Sequence, residues 1–182
     1  MNIKDLSKPF AIDQIDFRVK KINNGGYAII LAYKNARADQ QVLDDVVGQL
    51  NWERRHSNGN HNCTVSIWCD DKKQWVSKED TGTESNTEAA KGLASDSFKR
   101  ACFNWGIGRE LYSYPLISVK LRDNEYKKGQ GTQKPKATWE LKPNDWIWFS
   151  QFTDGVLTYL AAKDDISLRF QWGSYSKPEN QQ

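Results

Sequence analysis

The chain has 182 residues, 38% of them hydrophobic, enough for a real core in one domain with a small appendage. Lys and Arg number 26 against 23 Asp and Glu, and the net charge of +3 permits a nucleic-acid partner without requiring one. No apolar run is long enough to span a bilayer and no leader peptide is evident; with an odd count of three cysteines, this predicts a reducing cytoplasm and argues against a disulfide-linked fold.

In chain order, Asp16 to Ile22 and Tyr27 to Tyr33 read as strands joined by Asn23-Asn24-Gly25-Gly26, residues that tolerate the positive φ of a hairpin turn. Asp39 to Leu50 places Val42, Leu43, Val46, Val47 and Leu50 on one side, a helix with Asp39 as its cap. The stretch holding His56 and His61 reads as a polar loop. Cys63, Val65, Ile67 and Cys69 then alternate with Thr64, Ser66 and Trp68, a strand with one buried face. Asp70-Asp71-Lys72-Lys73 turns it into a second strand around Trp75-Val76.

The most informative segment follows, from Ser85 to Tyr112. Ser85 and Glu88 form a capping box, and Ala90, Leu93, Ala94, Ser97, Phe98, Ala101, Cys102 and Trp105 make one apolar stripe at helical spacing. Gly106 and Gly108 supply the stop. The opposite face carries Lys91, Ser95 and Lys99, with Arg100 beside them; a helix buried on one side and basic on the other can be held rigidly against an anion.

Beyond Pro115, Leu116 to Leu121 is strand-like, and 122–136 is a polar, glycine-containing loop. Between Lys120 and Lys142 there are seven Lys and Arg against three Asp and Glu, the pattern of a solvated basic loop or of one lying near DNA. Trp139 to Leu141, Trp146 to Phe152 and Ile166 to Trp172 read as strands, Leu157 to Ala162 as strand or short helix, and Asp154-Gly155 as a turn. The tail from Ser176 is polar. The expected architecture is therefore α+β: strand, strand, helix, strand, strand, helix in a core of 1–115, an antiparallel sheet or hairpin packed on a long helix, with a β-rich extension in 116–175 and a tail in 176–182.

Ala90-Lys91-Gly92-Leu93-Ala94-Ser95-Asp96-Ser97-Phe98-Lys99-Arg100-Ala101 followed by Phe103-Asn104-Trp105-Gly106-Ile107-Gly108-Arg109-Glu110-Leu111-Tyr112 resembles the signature helix of the Rad fifty-two family of single-strand annealing proteins, including the Sak-type annealases of bacteriophages. Pro9-Phe10 with Ile15 to Val19 looks like the phage members' opening strand, and Tyr33 to Trp52, with Arg37, Leu43, Asp45, Val46, Gly48 and Asn51-Trp52, like their first core helix. The likeness runs from about Leu6 to Pro115. It implies a β-β-β-α core of the annealase type, single-stranded DNA as partner, ATP-independent annealing in recombination and repair, and a homo-oligomeric ring or helical filament. A phage exonuclease or a host single-strand binding protein is a further implied partner. It also implies that Lys99 and Arg100 line a DNA groove with Arg37 on the other wall, that Lys91 is a further candidate, and that Lys72 and Lys73 occupy a tip carrying a second contact. Phe103 stands one turn beyond Lys99, where relatives often carry a further basic residue. Asp96, four residues before Arg100, is placed to form an ion pair that orients it.

The remaining chemistry is sparse. No Gly-Lys-Ser/Thr phosphate loop is present, so the chain is read as using no ATP or other cofactor. His61, Cys63 and Cys69 lack an evident fourth ligand for zinc, and all three cysteines read as small buried hydrophobes. Asp44 and Asp45 diverge by about 100° on a helix, while Asp70-Asp71 and Asp164-Asp165 sit in turns or between elements, where solvation is the default. Lys78, Glu79 and Asp80 are the nearest approach to a metal-dependent nuclease set. The expectation is a binding protein without catalytic residues or metal, with a non-annealing single-strand binder or a divergent nuclease as alternatives.

Overall fold

The Asn23–Gly26 turn folds the chain back on itself, pairing β1 (Asp16–Ile22) with β2 (Tyr27–Tyr33) antiparallel, Asp16 opposite Tyr33 and Ile22 opposite Ala28. This hairpin and the elements below come from a computed structural model that describes residues 2–83 and 89–176, the side chains of 89–91 excepted. The capping box expected at Ser85 and Glu88 lies outside the described residues. The chain forms two compact units, Met1–Phe10 with Lys34–Arg109, and Ala11–Tyr33 with Glu110–Gln182. All the sheets are antiparallel and the described residues contain two α-helices, so the fold is mixed α+β.

In the first unit, α1 spans Ala36–Val47. Its cap is Asn35, not Asp39: the Asn35 Oδ1 accepts hydrogen bonds from the Arg37 and Ala38 amides. Asp39 sits in the first turn, fully buried, where it takes the ammonium of Lys34, itself buried. Gly108 leaves the room Lys34 needs, since a Cβ there would collide with the lysine stem. Leu50, expected on the apolar side of this helix, is 92% exposed, because the helix ends at the left-handed Gly48 and the chain turns away.

A three-stranded meander follows: β3 (Trp52–Ser57), β4 (Asn62–Cys69) and β5 (Gln74–Thr81), in that order across the sheet. Strand β3 was not expected. Its residues alternate without an apolar face, yet register places Trp52, Arg54 and His56 opposite Ile67, Val65 and Cys63 on the buried side. His56 is thus a strand residue, and burial, then the charge of Arg54, lowers its imidazole below the ordinary value. Helix α2 (Ala89–Asn104) packs on β4 and β5. Leu93, Ser97, Phe98, Ala101 and Cys102 are buried on this face as the stripe predicts, while Trp105 is partly covered and donates its indole N–H to the Val65 carbonyl at 3.0 Å.

The second unit collects β1, β2 and everything after Arg109. Strand β6 (Ile117–Lys120) pairs with β2, so the order is β1-β2-β6 and the first hairpin belongs with the C-terminal segment, not with a core closed at Pro115. The expected loop over 122–136 contains a two-stranded ribbon, β7 (Tyr126–Lys127) with β8 (Lys136–Ala137). Trp139 to Leu141, expected as strand, is irregular, and the Trp139 indole is exposed. A second meander, β9 (Ile147–Thr153), β10 (Val156–Lys163) and β11 (Leu168–Gly173), turns at Asp154-Gly155 as predicted. Arg122 and Asp164, expected in solvent, are joined instead: Arg122 meets Asp164 at 2.8 Å, and Arg169 bonds both Asp164 and Glu125. Burial would raise the Asp164 carboxyl, but hydrogen bonds from Arg169, the Ser167 and Ile166 amides and Arg122 hold it well below the ordinary range.

The Lys34–Asp39 pair makes a direct stability test. Removing one partner, as in Lys34→Ala or Asp39→Ala, leaves an uncompensated charge in the core and should cost about 3–5 kcal/mol by denaturant unfolding. The double change Lys34→Met with Asp39→Leu should recover most of that loss. Near-neutral single variants would mean the pair is open to water.

Candidate nucleic-acid interface

Helix α2 is held by three contacts between Leu93 and Ser97. At Gly82, just beyond β5, an added Cβ would stand 2.6 Å from the Ser97 amide nitrogen and 3.0 Å from the Leu93 carbonyl oxygen, so the two backbones touch. Ser97, fully buried, donates its hydroxyl to the Asn60 carbonyl at 2.9 Å and lies 3.4 Å from His56 Nδ1, fastening the helix to the β3–β4 turn. Asp96 accepts the Thr83 amide at 2.9 Å. This carboxylate therefore anchors the chain leaving β5 and does not orient Arg100.

Arg100 is oriented from elsewhere. Its Nε donates to Asp80 of β5 at 3.2 Å, and Asn104 donates to the same carboxylate at 3.3 Å. At the helix C-terminus, Lys78 donates to the Asn104 carbonyl at 2.8 Å and lies 4.4 Å from the Trp105 ring centre. Arg109 donates to the Phe103 and Asn104 carbonyls at 2.8 and 3.0 Å. Two cations thus satisfy otherwise orphaned carbonyls at the negative end of the helix dipole. Gly106, at φ 103°, makes the break that lets Arg109 turn back.

These bonds divide the expected site residues. Of the charged residues from Asp96 to Arg109, Lys99 alone has no hydrogen bond or ion pair among the described residues. It stands about 100° around the helix from Arg100, so the two do not project to one side. The backbone of Lys91 is on the first turn of α2, but its side chain lies outside the described residues. Arg37 is exposed in the first turn of α1, inside the helix where a position ahead of the cap was expected, and α1 packs against α2. Lys72 and Lys73 occupy the β4–β5 tip as expected, both exposed. Lys73 faces Asp70 at 3.8 Å, and with Asp71 alongside the tip carries little net charge.

Sequence reasoning missed Arg54, whose guanidinium lies 4.9 Å from the Phe98 ring centre, and the capping roles of Lys78 and Arg109. A cation just past a glycine-marked helix end was the available signal for Arg109. The face of the sheet away from α2 carries Arg55, Ser66, Ser77 and an edge-to-face pair, Trp68 and Trp75, at 5.7 Å. Lys78 and Asp80 face α2 while Glu79 faces the other way, accepting from Asn62 and Thr64, so the three do not converge. Among the described residues no group of three or more His, Cys, Asp or Glu side chains is placed to hold a metal ion. Burial raises the Cys63 thiol to about 11 and Cys102 well above its ordinary value, the behaviour of inert core residues. No described helix is long and apolar enough to cross a membrane. No known protein family, curated protein or solved structure matches the chain.

The division within α2 can be read by stability alone. Arg100→Ala and Asp80→Ala should each destabilise, with a coupling of about 0.5–1 kcal/mol in a double-mutant cycle, as befits a partly exposed pair. Lys99→Ala should change unfolding free energy by less than about 0.5 kcal/mol. Equal losses at positions 99 and 100 would mean that Lys99 also serves the packing.

Proposed function

We propose that this chain binds single-stranded DNA and anneals complementary strands without ATP, in the manner of the Rad fifty-two family's phage-type members. The observation that carries the reading is Lys99. From Asp96 to Arg109 the other charged side chains are engaged in hydrogen bonds or ion pairs, whereas the half-buried Lys99 makes neither among the described residues, on a helix fastened to its sheet. A strand gripped by its phosphates keeps its base edges free to pair, which is what annealing needs. Lys99 is the principal contact, with Arg37 on the neighbouring helix and Lys91 as further contributors. Arg100 contributes its second face while Asp80 orients it, and Lys72 and Lys73 are peripheral. The β3-β4-β5-α2 succession is consistent with the β-β-β-α core that the resemblance implies. The working form is a homo-oligomeric ring or helical filament in a bacterial cytoplasm, partnered by a phage exonuclease or host single-strand binding protein.

The open sheet face with Trp68 and Trp75 favours a second reading, a non-annealing protein that coats single strands by base stacking. Annealing kinetics separate the two. Complementary oligonucleotides should pair faster with protein than without, in EDTA and without nucleotide, and the rate should peak near the protein level that just coats both strands. A coating protein would slow pairing at every ratio. Strand cleavage on adding magnesium, or annealing that needs ATP, would replace both readings with an enzymatic one.

A further inference from the structure

The β7–β8 ribbon in the second unit gathers four lysines. Lys127 and Lys136 stand directly opposite each other in its register. Like charges in a cross-strand pair are unfavourable, so folding alone does not favour this placement. Lys128 and Lys134 extend the cluster, and the four lysines with Gln130 and Gln133 line an open pocket of about 300 Å³. No carboxylate lines it, and none of the four lysines is in an ion pair among the described residues. From Tyr126 to Trp139 the chain has no Asp or Glu. The flanking acids are occupied: Glu125 bonds Arg169 at 2.7 Å, and Glu140 accepts from Asn124 at 2.9 Å.

The tip is shaped. Gln133 donates its amide to the Gln130 carbonyl at 3.0 Å, closing a turn in which Gly131 takes φ 58°. At Gly129 a Cβ would collide with the Gln133 carbonyl oxygen, so the two sides of the ribbon approach through a glycine. The ribbon's backbone thus brings the four lysines to one pocket.

We propose that this ribbon is a second nucleic-acid site, a grip for the phosphodiester backbone of a single strand. Four ammoniums spread over both sides of a ribbon match a run of phosphates better than one anion, and the glutamine amides add neutral donors. Trp139, 77% exposed just past the ribbon, offers its ring to an unpaired base, which a duplex does not present. The choice of nucleic acid as the polyanion rests on the reading of α2, but the grip and Lys99 lie in different units and are tested by different variants.

The test uses the full chain and a fluorescein-labelled mixed-sequence single strand, read by anisotropy across a salt series. The variant K127Q/K128Q/K134Q/K136Q should bind at least tenfold more weakly at low salt. Its log–log salt slope should flatten by about 0.7 for each phosphate that the ribbon no longer neutralises. Its melting temperature should hold or rise, because a repulsion is removed, and the corresponding four Lys→Arg changes should keep wild-type affinity. If Lys99→Ala binds normally while the four-glutamine variant does not, the grip stands and the reading of α2 falls. Unchanged affinity and slope in the four-glutamine variant, or no single-strand binding by the wild type, overturns the grip. Displacement of the strand from the wild type by equimolar inorganic tripolyphosphate also overturns it, assigning the site to free polyphosphate.

Discussion

Helix α2 lies against the end of β5 so closely that a single methyl group at Gly82 would stand 2.6 Å from the Ser97 amide nitrogen. Much of the first unit's order follows from that approach. It brings Ser97 within reach of the Asn60 carbonyl and Asp96 within reach of the Thr83 amide. It also sets Phe98 under Arg54 and beside Trp52. A larger residue at 82 would have to push helix and strand apart, and the buried stripe is too closely packed to absorb the shift cheaply.

A second consequence concerns charge. A helix packed on a sheet ends with unsatisfied carbonyls beside polar strands, and this chain meets both with cations and carboxylates from β5, α2 and the turn after the helix. Asp80 takes Arg100, while Lys78 and Arg109 take the last carbonyls. Motif residues that look like ligand contacts in one dimension are therefore shared between architecture and function, and packing selects which remain for a ligand. The Lys34–Asp39 pair makes the same point in the core, where a lysine next to a helix cap is buried against the first turn.

Local chemistry made part of the fold legible. The Asn23–Gly26 and Asp154-Gly155 turns, the alternation in β4 and the stripe of α2 each have a short-range cause and stand where they were expected. Strand β3 escaped because the side it turns toward α2 carries Trp52, Arg54 and His56, which lie against the Phe98 ring and Ser97 where aliphatic side chains would have signalled a strand. Asp39 has the chemistry of a cap, but Asn35 stands one position before the helix and Lys34 needed a counter-charge. The pairing of β2 with β6, nearly ninety residues apart, has no local signal at all. Nor does the meeting of Arg122 with Asp164, which draws two residues expected in solvent into one ion network. Within the candidate interface, residue types and the face of α2 were readable; which charges were already spoken for was a tertiary question.

Lysine-reactivity footprinting by mass spectrometry tests the central claim most directly, because it reads each ammonium in the intact protein. Lys34 and Lys78, held in the core and at the helix end, should acylate slowly with or without DNA. Lys99 should acylate readily in the free protein and become strongly protected by a saturating single strand. Lys99 reactivity that is unchanged by bound DNA, or already as low as that of Lys78 in the free protein, would contradict the account.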